Sequence, residues 1–104
     1  MWVFVMFDLP VKKKKDRKQA TQFRKFLISD GYLMLHFSVY ARICNGEERV
    51  EKHYKRVITN LPKKGSVRVF QLTDKQYGRM SHFLGQKKTE DEIKNAQQSQ
   101  LVLL

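Results

Sequence analysis

Cysteine occurs once in these 104 residues, at Cys44. A single cysteine excludes an internal disulfide and any cysteine-based zinc finger, and it suits a reducing interior. No apolar run approaches the roughly 18 residues that a membrane span requires. The apolar opening is too short for a signal peptide, lacks a basic leader and runs straight into Asp8 and Pro10. The expected location is cytoplasmic. Acidic residues are scarce, 10 Asp and Glu against 21 Lys and Arg, for a formal net charge of +11. That imbalance favours polyanionic partners, nucleic acid foremost. No phosphate loop of the GxxxxGK type is present, and "SVRVFQL" lacks the stacking aromatics of an RNA-recognition module. His36, His53 and His82 do not fall at ligand-like spacing, and each reads as an ordinary packed or solvated histidine.

What is present is a folding composition: 41% hydrophobic and 12% aromatic residues are too many for a disordered basic tail and enough for one modest core. Trp2 to Leu9 is apolar on both alternating faces, the pattern of a central strand covered on both sides or buried by sheet-to-sheet contact on one of them. It delivers one carboxylate, Asp8, to a turn marked by Pro10 and followed by Lys12, Lys13, Lys14 and Lys15. Asp16 with Gln19 predicts a helix start with a capping box, Ala20, Phe23, Phe26 and Leu27 recur at helical spacing, and Gly31 stops the helix. Leu33 to Ile43 alternates as one long strand or two short ones, with Leu33, Leu35, Phe37, Val39, Ala41 and Ile43 on one face. Asn45 predicts the cap of a second helix, which Pro62 ends and whose apolar stripe is Val50, Tyr54, Val57, Ile58 and Leu61. After the "KKG" turn at 63–65, Ser66 to Leu72 reads as a strand.

The order β-α-β(β)-α-β predicts an α+β, ferredoxin-like βαββαβ sandwich with both helices on one sheet face. The other face then needs cover, which a homodimer packed sheet to sheet would supply. Residues 1–78 form the expected core and 79–104 a C-terminal extension. Within that extension, residues 74–85 suggest a short helix around Tyr77, Met80 and Phe83, and 86–100 a polar tether. Leu101, Val102, Leu103 and Leu104 close the chain as an extra strand, near 100–104, suited to docking on a sheet edge.

Three stretches in register carry a resemblance: "VMFDLP" at Val5 to Pro10, "FRKFLISDGYLMLHFSVYARI" at Phe23 to Ile43, and "KKGSVRVFQLTDKQYGRM" at Lys63 to Met80. Together they resemble the small CRISPR-associated protein two family, in the form found with single-effector type II systems. The resemblance implies a subunit that accompanies the integrase in CRISPR spacer acquisition. It also implies a metal-dependent endonuclease, chiefly an endoribonuclease on single-stranded RNA, with some members cutting duplex DNA.

In that reading Asp8 is the catalytic and metal-holding residue. One carboxylate holds Mg²⁺ or Mn²⁺ poorly, because such cations take one or two carboxylates with waters and substrate phosphates. The resemblance implies a site shared across the dimer axis, whereas the plainer alternative is that Asp8 caps a turn. His36 and Ser38 share a strand face and are candidates for supporting Asp8. Lys12, Lys13, Lys14, Lys15, Arg17, Lys18, Arg24 and Lys25 are the candidate nucleic-acid contacts, with Arg17 at a position the family ties to nucleic-acid handling. Lysine tracts make sequence-neutral phosphate contacts, and a solvated loop is the alternative for Lys12 to Lys15. Expected partners are a second copy, the CRISPR integrase subunit, and a duplex DNA prespacer or single-stranded RNA, without a membrane. The resemblance leaves open a nuclease, a non-cutting DNA-binding scaffold between integrase dimers, and a toxin-like stand-alone ribonuclease.

Overall fold

The computed structural model describes residues 1–83 and residue 85. The chain divides into two compact units, Met1–Leu72 and Thr73–Leu104. In the first unit the elements run β1 (Trp2–Asp8), α1 (Lys14–Ser29), β2 (Leu33–His36), β3 (Val39–Ile43), α2 (Glu47–Thr59) and β4 (Ser66–Leu72). The four strands form one antiparallel sheet in the order β2-β3-β1-β4, which is the ferredoxin-like topology expected from the element order.

β1 lies in the middle of the sheet. Val3, Val5 and Phe7 alternate to its helix-covered face and join Phe23 and Leu27 of α1, Val50 and Val57 of α2, Tyr40 and Cys44 in one core. Trp2, Phe4, Met6 and Asp8 alternate to the opposite face, where Phe4 stacks on its cross-strand partner Phe70 at 5.2 Å between ring centroids. On that face Met6, Leu33 and Ile43 remain exposed, Leu33 by 59% and Ile43 by 54%.

Leu33 to Ile43 resolves into two strands joined at Phe37 and Ser38, with a register shift between Met34 and His36. The shift breaks the even alternation expected for one long strand, and β2, at the sheet edge, is exposed throughout while Tyr40 and Ala41 of β3 are buried.

Both helix starts differ from the sequence expectation. Lys13 is the N-cap of α1, with no side-chain cap, and Asp16 sits inside the first turn, where its charge meets the positive end of the helix dipole. Gly46, at φ 89°, is the N-cap of α2 in place of Asn45, because the chain enters that helix through a backbone conformation that glycine adopts freely. The α2 stripe is also narrower than predicted. Val50, His53 and Val57 are buried, whereas Ile58 is exposed and Leu61 lies exposed beyond the helix end.

The end of α1 follows the expectation for Gly31. Its φ is 90°, its amide bonds the Ile28 carbonyl at 3.1 Å, and the Tyr32 amide bonds that of Leu27 at 3.0 Å, a Schellman closure. Asp30, the C-cap, is buried and accepts from His53 Nδ1 at 2.9 Å through Oδ2 and pairs with the Arg56 guanidinium at 3.1 Å through Oδ1. The Arg42 guanidinium donates to the Asp30 carbonyl oxygen. One residue thereby joins α1, α2 and β3. Burial, and then the neighbouring Asp30 carboxylate, push the Tyr32 phenol well above its ordinary range.

In the second unit, α3 (Asp74–Gly78) opens with a complete Thr73–Gln76 capping box. It is shorter than the helix expected over 74–85, and Met80 to Phe83 are not helical. Gly78, the poorest helix former of the segment, is its last residue. The polar tether and the 101–104 strand lie outside the described residues. Among the described residues, no helix is long and apolar enough to cross a membrane.

The core assignment predicts contrasting costs. Leu27→Ala, at a fully buried site, should lower unfolding free energy by about 2–5 kcal/mol. Ile58→Ala, in the stripe predicted from spacing but exposed in the fold, should change it by less than about 0.5 kcal/mol. Urea denaturation followed by circular dichroism measures both.

Candidate functional site

Asp8 is the last residue of β1, and the residue before it is held from four directions. The Phe7 ring meets Phe23 edge-on at 5.3 Å and stacks on Tyr40 at 5.7 Å. The Arg24 guanidinium lies over that ring at 5.6 Å, and the Phe7 amide bonds the Ser38 carbonyl at 3.0 Å. Because successive side chains point to opposite faces, this anchoring fixes the direction in which the exposed Asp8 carboxylate projects.

On the other edge of β1, Asp8 is paired with Ser66 and Met6 with Arg68. Met6, Phe7, Asp8, Ser38, Ser66 and Arg68 line an open cleft of about 240 Å³. The turn that starts β4 leaves little room behind Asp8. Gly65 has φ 101°, and a Cβ there would lie 2.7 Å from both the Asp8 carbonyl oxygen and Leu9 Cδ2. Only glycine combines that backbone angle with that approach. The same turn is tied to α1 by the Lys63 amide, which bonds the Gln19 side-chain oxygen at 2.9 Å.

Of the supporting candidates, Ser38 lines the Asp8 cleft, and His36 stands behind it. The Ser38 amide donates to His36 Nδ1 at 3.3 Å, and the Ser38 hydroxyl lies 3.2 Å from the same nitrogen. Nδ1 is therefore an acceptor, and in the neutral ring the proton resides on Nε2.

The basic candidates separate into two kinds. Arg17 donates to the Val11 and Lys12 carbonyls at 3.1 and 2.9 Å, and so shapes the lysine loop from within. Arg24 donates to the Phe37 carbonyl at 3.0 Å and fixes the β2–β3 turn. Lys12, Lys13, Lys14, Lys15, Lys18 and Lys25 are exposed. None of these lysines lines the Asp8 cleft; Lys15 instead meets Lys63, Lys64, Asp16 and Gln19 around a separate cavity of about 80 Å³. Ser66 and Arg68 are the cleft residues that sequence reasoning did not single out. Alternation along "SVRVFQL" puts both on one face, but only the β1–β4 register, absent from the sequence, brings that face to Asp8.

A hard divalent cation would find oxygen donors here: the Asp8 carboxylate and the hydroxyls of Ser38 and Ser66. Among the described residues Asp8 forms no ion pair, and no group of three or more His, Cys, Asp or Glu side chains gathers anywhere. One carboxylate and two hydroxyls leave room in the oxygen shell of such a cation for waters, phosphate oxygens or a further carboxylate.

Comparison with known proteins agrees with this architecture. The family model for CRISPR associated protein Cas2 matches residues 1–80. A CRISPR-associated endoribonuclease Cas2 of Flavobacterium psychrophilum is 46% identical, over 97% of this chain and 87% of that protein. One from Acidovorax ebreus is 47% identical over 94% of this chain and 96% of its own length. The crystal structure of Streptococcus pyogenes Cas2 superposes with a TM-score of 0.61 at 21% identity, covering 80% of this chain and 99% of that one, which extends the likeness to the fold.

The packing behind Asp8 makes Gly65→Ala informative. Strain of about 1–3 kcal/mol should appear as lost stability, and the backbone amide resonances of Asp8 and Leu9 should shift while those of α2 stay in place. Unchanged Asp8 and Leu9 resonances would show that this turn does not set the position of the carboxylate.

Proposed function

The chain belongs to the CRISPR-associated Cas2 family, and from that footing we propose that it is a metal-dependent endoribonuclease acting on single-stranded RNA. In the same reading it is the basic, nucleic-acid-binding partner of a CRISPR integrase. The observation that carries the nuclease reading is the exposed Asp8 carboxylate, fixed at a strand end and sharing a cleft with Ser38, Ser66 and Arg68. The names of the relatives, CRISPR-associated endoribonucleases, support it.

The working unit in this proposal is a homodimer. Met6, Leu33 and Ile43 leave an apolar surface on the sheet face away from the helices, and a second copy packed there would remove it from water. Asp8 lies on that same face, so each chain would contribute one carboxylate to hold Mg²⁺ or Mn²⁺. The bound cation supplies positive charge that polarises the phosphodiester and favours ionisation of an attacking water. The protein's part is to hold the carboxylates rigid, through Phe7 and Gly65, and to orient the phosphate with the hydroxyls and the guanidinium of the cleft. No side-chain nucleophile is needed.

A second reading, a scaffold that holds a duplex prespacer without cutting it, is favoured by one observation. The exposed lysines do not line the Asp8 cleft, so a duplex could run along Lys12 to Lys15 and Lys18 without engaging the carboxylate. We assign residues 101–104 to docking on the partner chain or on the integrase, and the compartment to the cytoplasm, where a lone thiol such as Cys44 stays reduced.

Asp8→Asn separates the two. It should abolish Mg²⁺- or Mn²⁺-dependent cleavage of single-stranded RNA while leaving the elution volume on size exclusion unchanged, because packing around Phe7 does not depend on the charge. Cleavage at the wild-type rate would exclude the shared-carboxylate site. Loss of cleavage with spacer acquisition intact would give the scaffold precedence.

A further inference from the structure

Arg17, Arg24, Arg42 and Arg56 are each committed to a carbonyl or carboxylate of the fold. Arg68 is not. It projects from β4 on the open sheet face, is exposed, and among the described residues forms no ion pair or hydrogen bond. The β1–β4 register sets it diagonal to Asp8, since Asp8 opposes Ser66 and Met6 opposes Arg68. Such diagonal neighbours stand about 7–8 Å apart, within reach of long side chains. The two groups line one cleft without pairing with each other, so the space between them can receive an anion.

An RNA phosphate approaching Asp8 meets a like charge, and Arg68 is the one cation that lines the cleft among the described residues. A guanidinium offers two parallel N–H donors that match two non-bridging phosphate oxygens, which an ammonium cannot do. The Ser66 hydroxyl, directly opposite Asp8 on the same face, adds a further donor. We propose that Arg68 is the phosphate clamp of this site: it holds the scissile phosphate of single-stranded RNA in bidentate fashion beside Asp8, with Ser66 as its neighbour. The assignment rests on the reading of Asp8 as the nuclease centre and adds the group that makes that centre attractive to its substrate. It also separates the cation that orients the reacting phosphate from the lysines that hold the rest of the nucleic acid.

The test measures binding and cleavage apart. A fluorescent single-stranded RNA is titrated in EDTA, so that nothing is cut, with wild type, Arg68→Ala and Arg68→Lys, and cleavage by the same proteins is then followed in Mg²⁺ or Mn²⁺. Arg68→Ala should weaken RNA binding about 10- to 100-fold, the range of a charge-assisted hydrogen-bonded contact. It should also flatten the slope of log affinity against log salt by about 0.7, one single-strand phosphate contact. Arg68→Lys should recover the salt slope but not the cleavage rate, and neither variant should alter the elution volume on size exclusion. Wild-type binding and cleavage by Arg68→Ala would overturn the clamp. So would a changed assembly state with unaltered RNA affinity, which would make Arg68 an interface residue. Cleavage surviving in Asp8→Asn would remove Asp8 as the centre, yet the EDTA titration would still decide on Arg68.

Discussion

Hydrogen bonding along both edges of β1 is the constraint from which the rest of the structure follows. On one edge β3 pairs with it from Trp2 to Met6 and then turns away. On the other, β4 stays paired two residues further, to Asp8 and Ser66. The last turn of β1 is thus held from the β4 side, with the Phe7 amide satisfied by Ser38 where β3 has ended. That offset between the two ladders opens the cleft. A carboxylate one residue earlier, in place of Phe7, would point into the helix-covered core, and one or two residues later it would lie in the Pro10 turn without a strand to orient it.

The same strand is apolar on both faces, and the two helices cover one of them. The residues left on the other, Met6, Leu33 and Ile43 with Asp8 at the end, combine an apolar surface with one carboxylate. A second copy is the simplest cover for the first and the simplest complement for the second. In the proposed pair Asp8 would gain a second carboxylate beside it, and hard cations bind through more oxygens than one carboxylate and two hydroxyls provide. Lysines at the start of α1 and in the 63–65 turn line a cavity separate from the Asp8 cleft, so in the proposed reading the surface that holds nucleic acid and the cleft that cuts it are two sites.

Much of this was readable from residue order because several local signals agree with the tertiary result. Ser66 to Leu72 is β-rich, bounded by a glycine turn and by Thr73, and it is a strand over that span. Gly31 stops α1 because its positive φ is both required and cheap there. Asp8 is legible as the lone carboxylate that closes an apolar run, and it is the exposed last residue of β1. Where local signals had rivals, the reading failed. Asp16 and Asn45 are good caps by type, but the paths taken from Pro10 and Cys44 set the helix starts at Lys13 and Gly46. Ile58 and Leu61 match the helical period, yet the helix is covered along a narrower stripe in which His53 takes a buried place, paired with Asp30. The place of Arg68 in the Asp8 cleft could not be read from the sequence, because strand register is a property of the whole sheet and not of either strand.

The central claim is that one carboxylate per chain makes a cation site only in pairs. Titration of the intact protein with Mn²⁺, followed by the electron paramagnetic resonance signal of the free ion, counts the sites directly. The account predicts one Mn²⁺ bound for every two chains. One Mn²⁺ bound for every chain would contradict it.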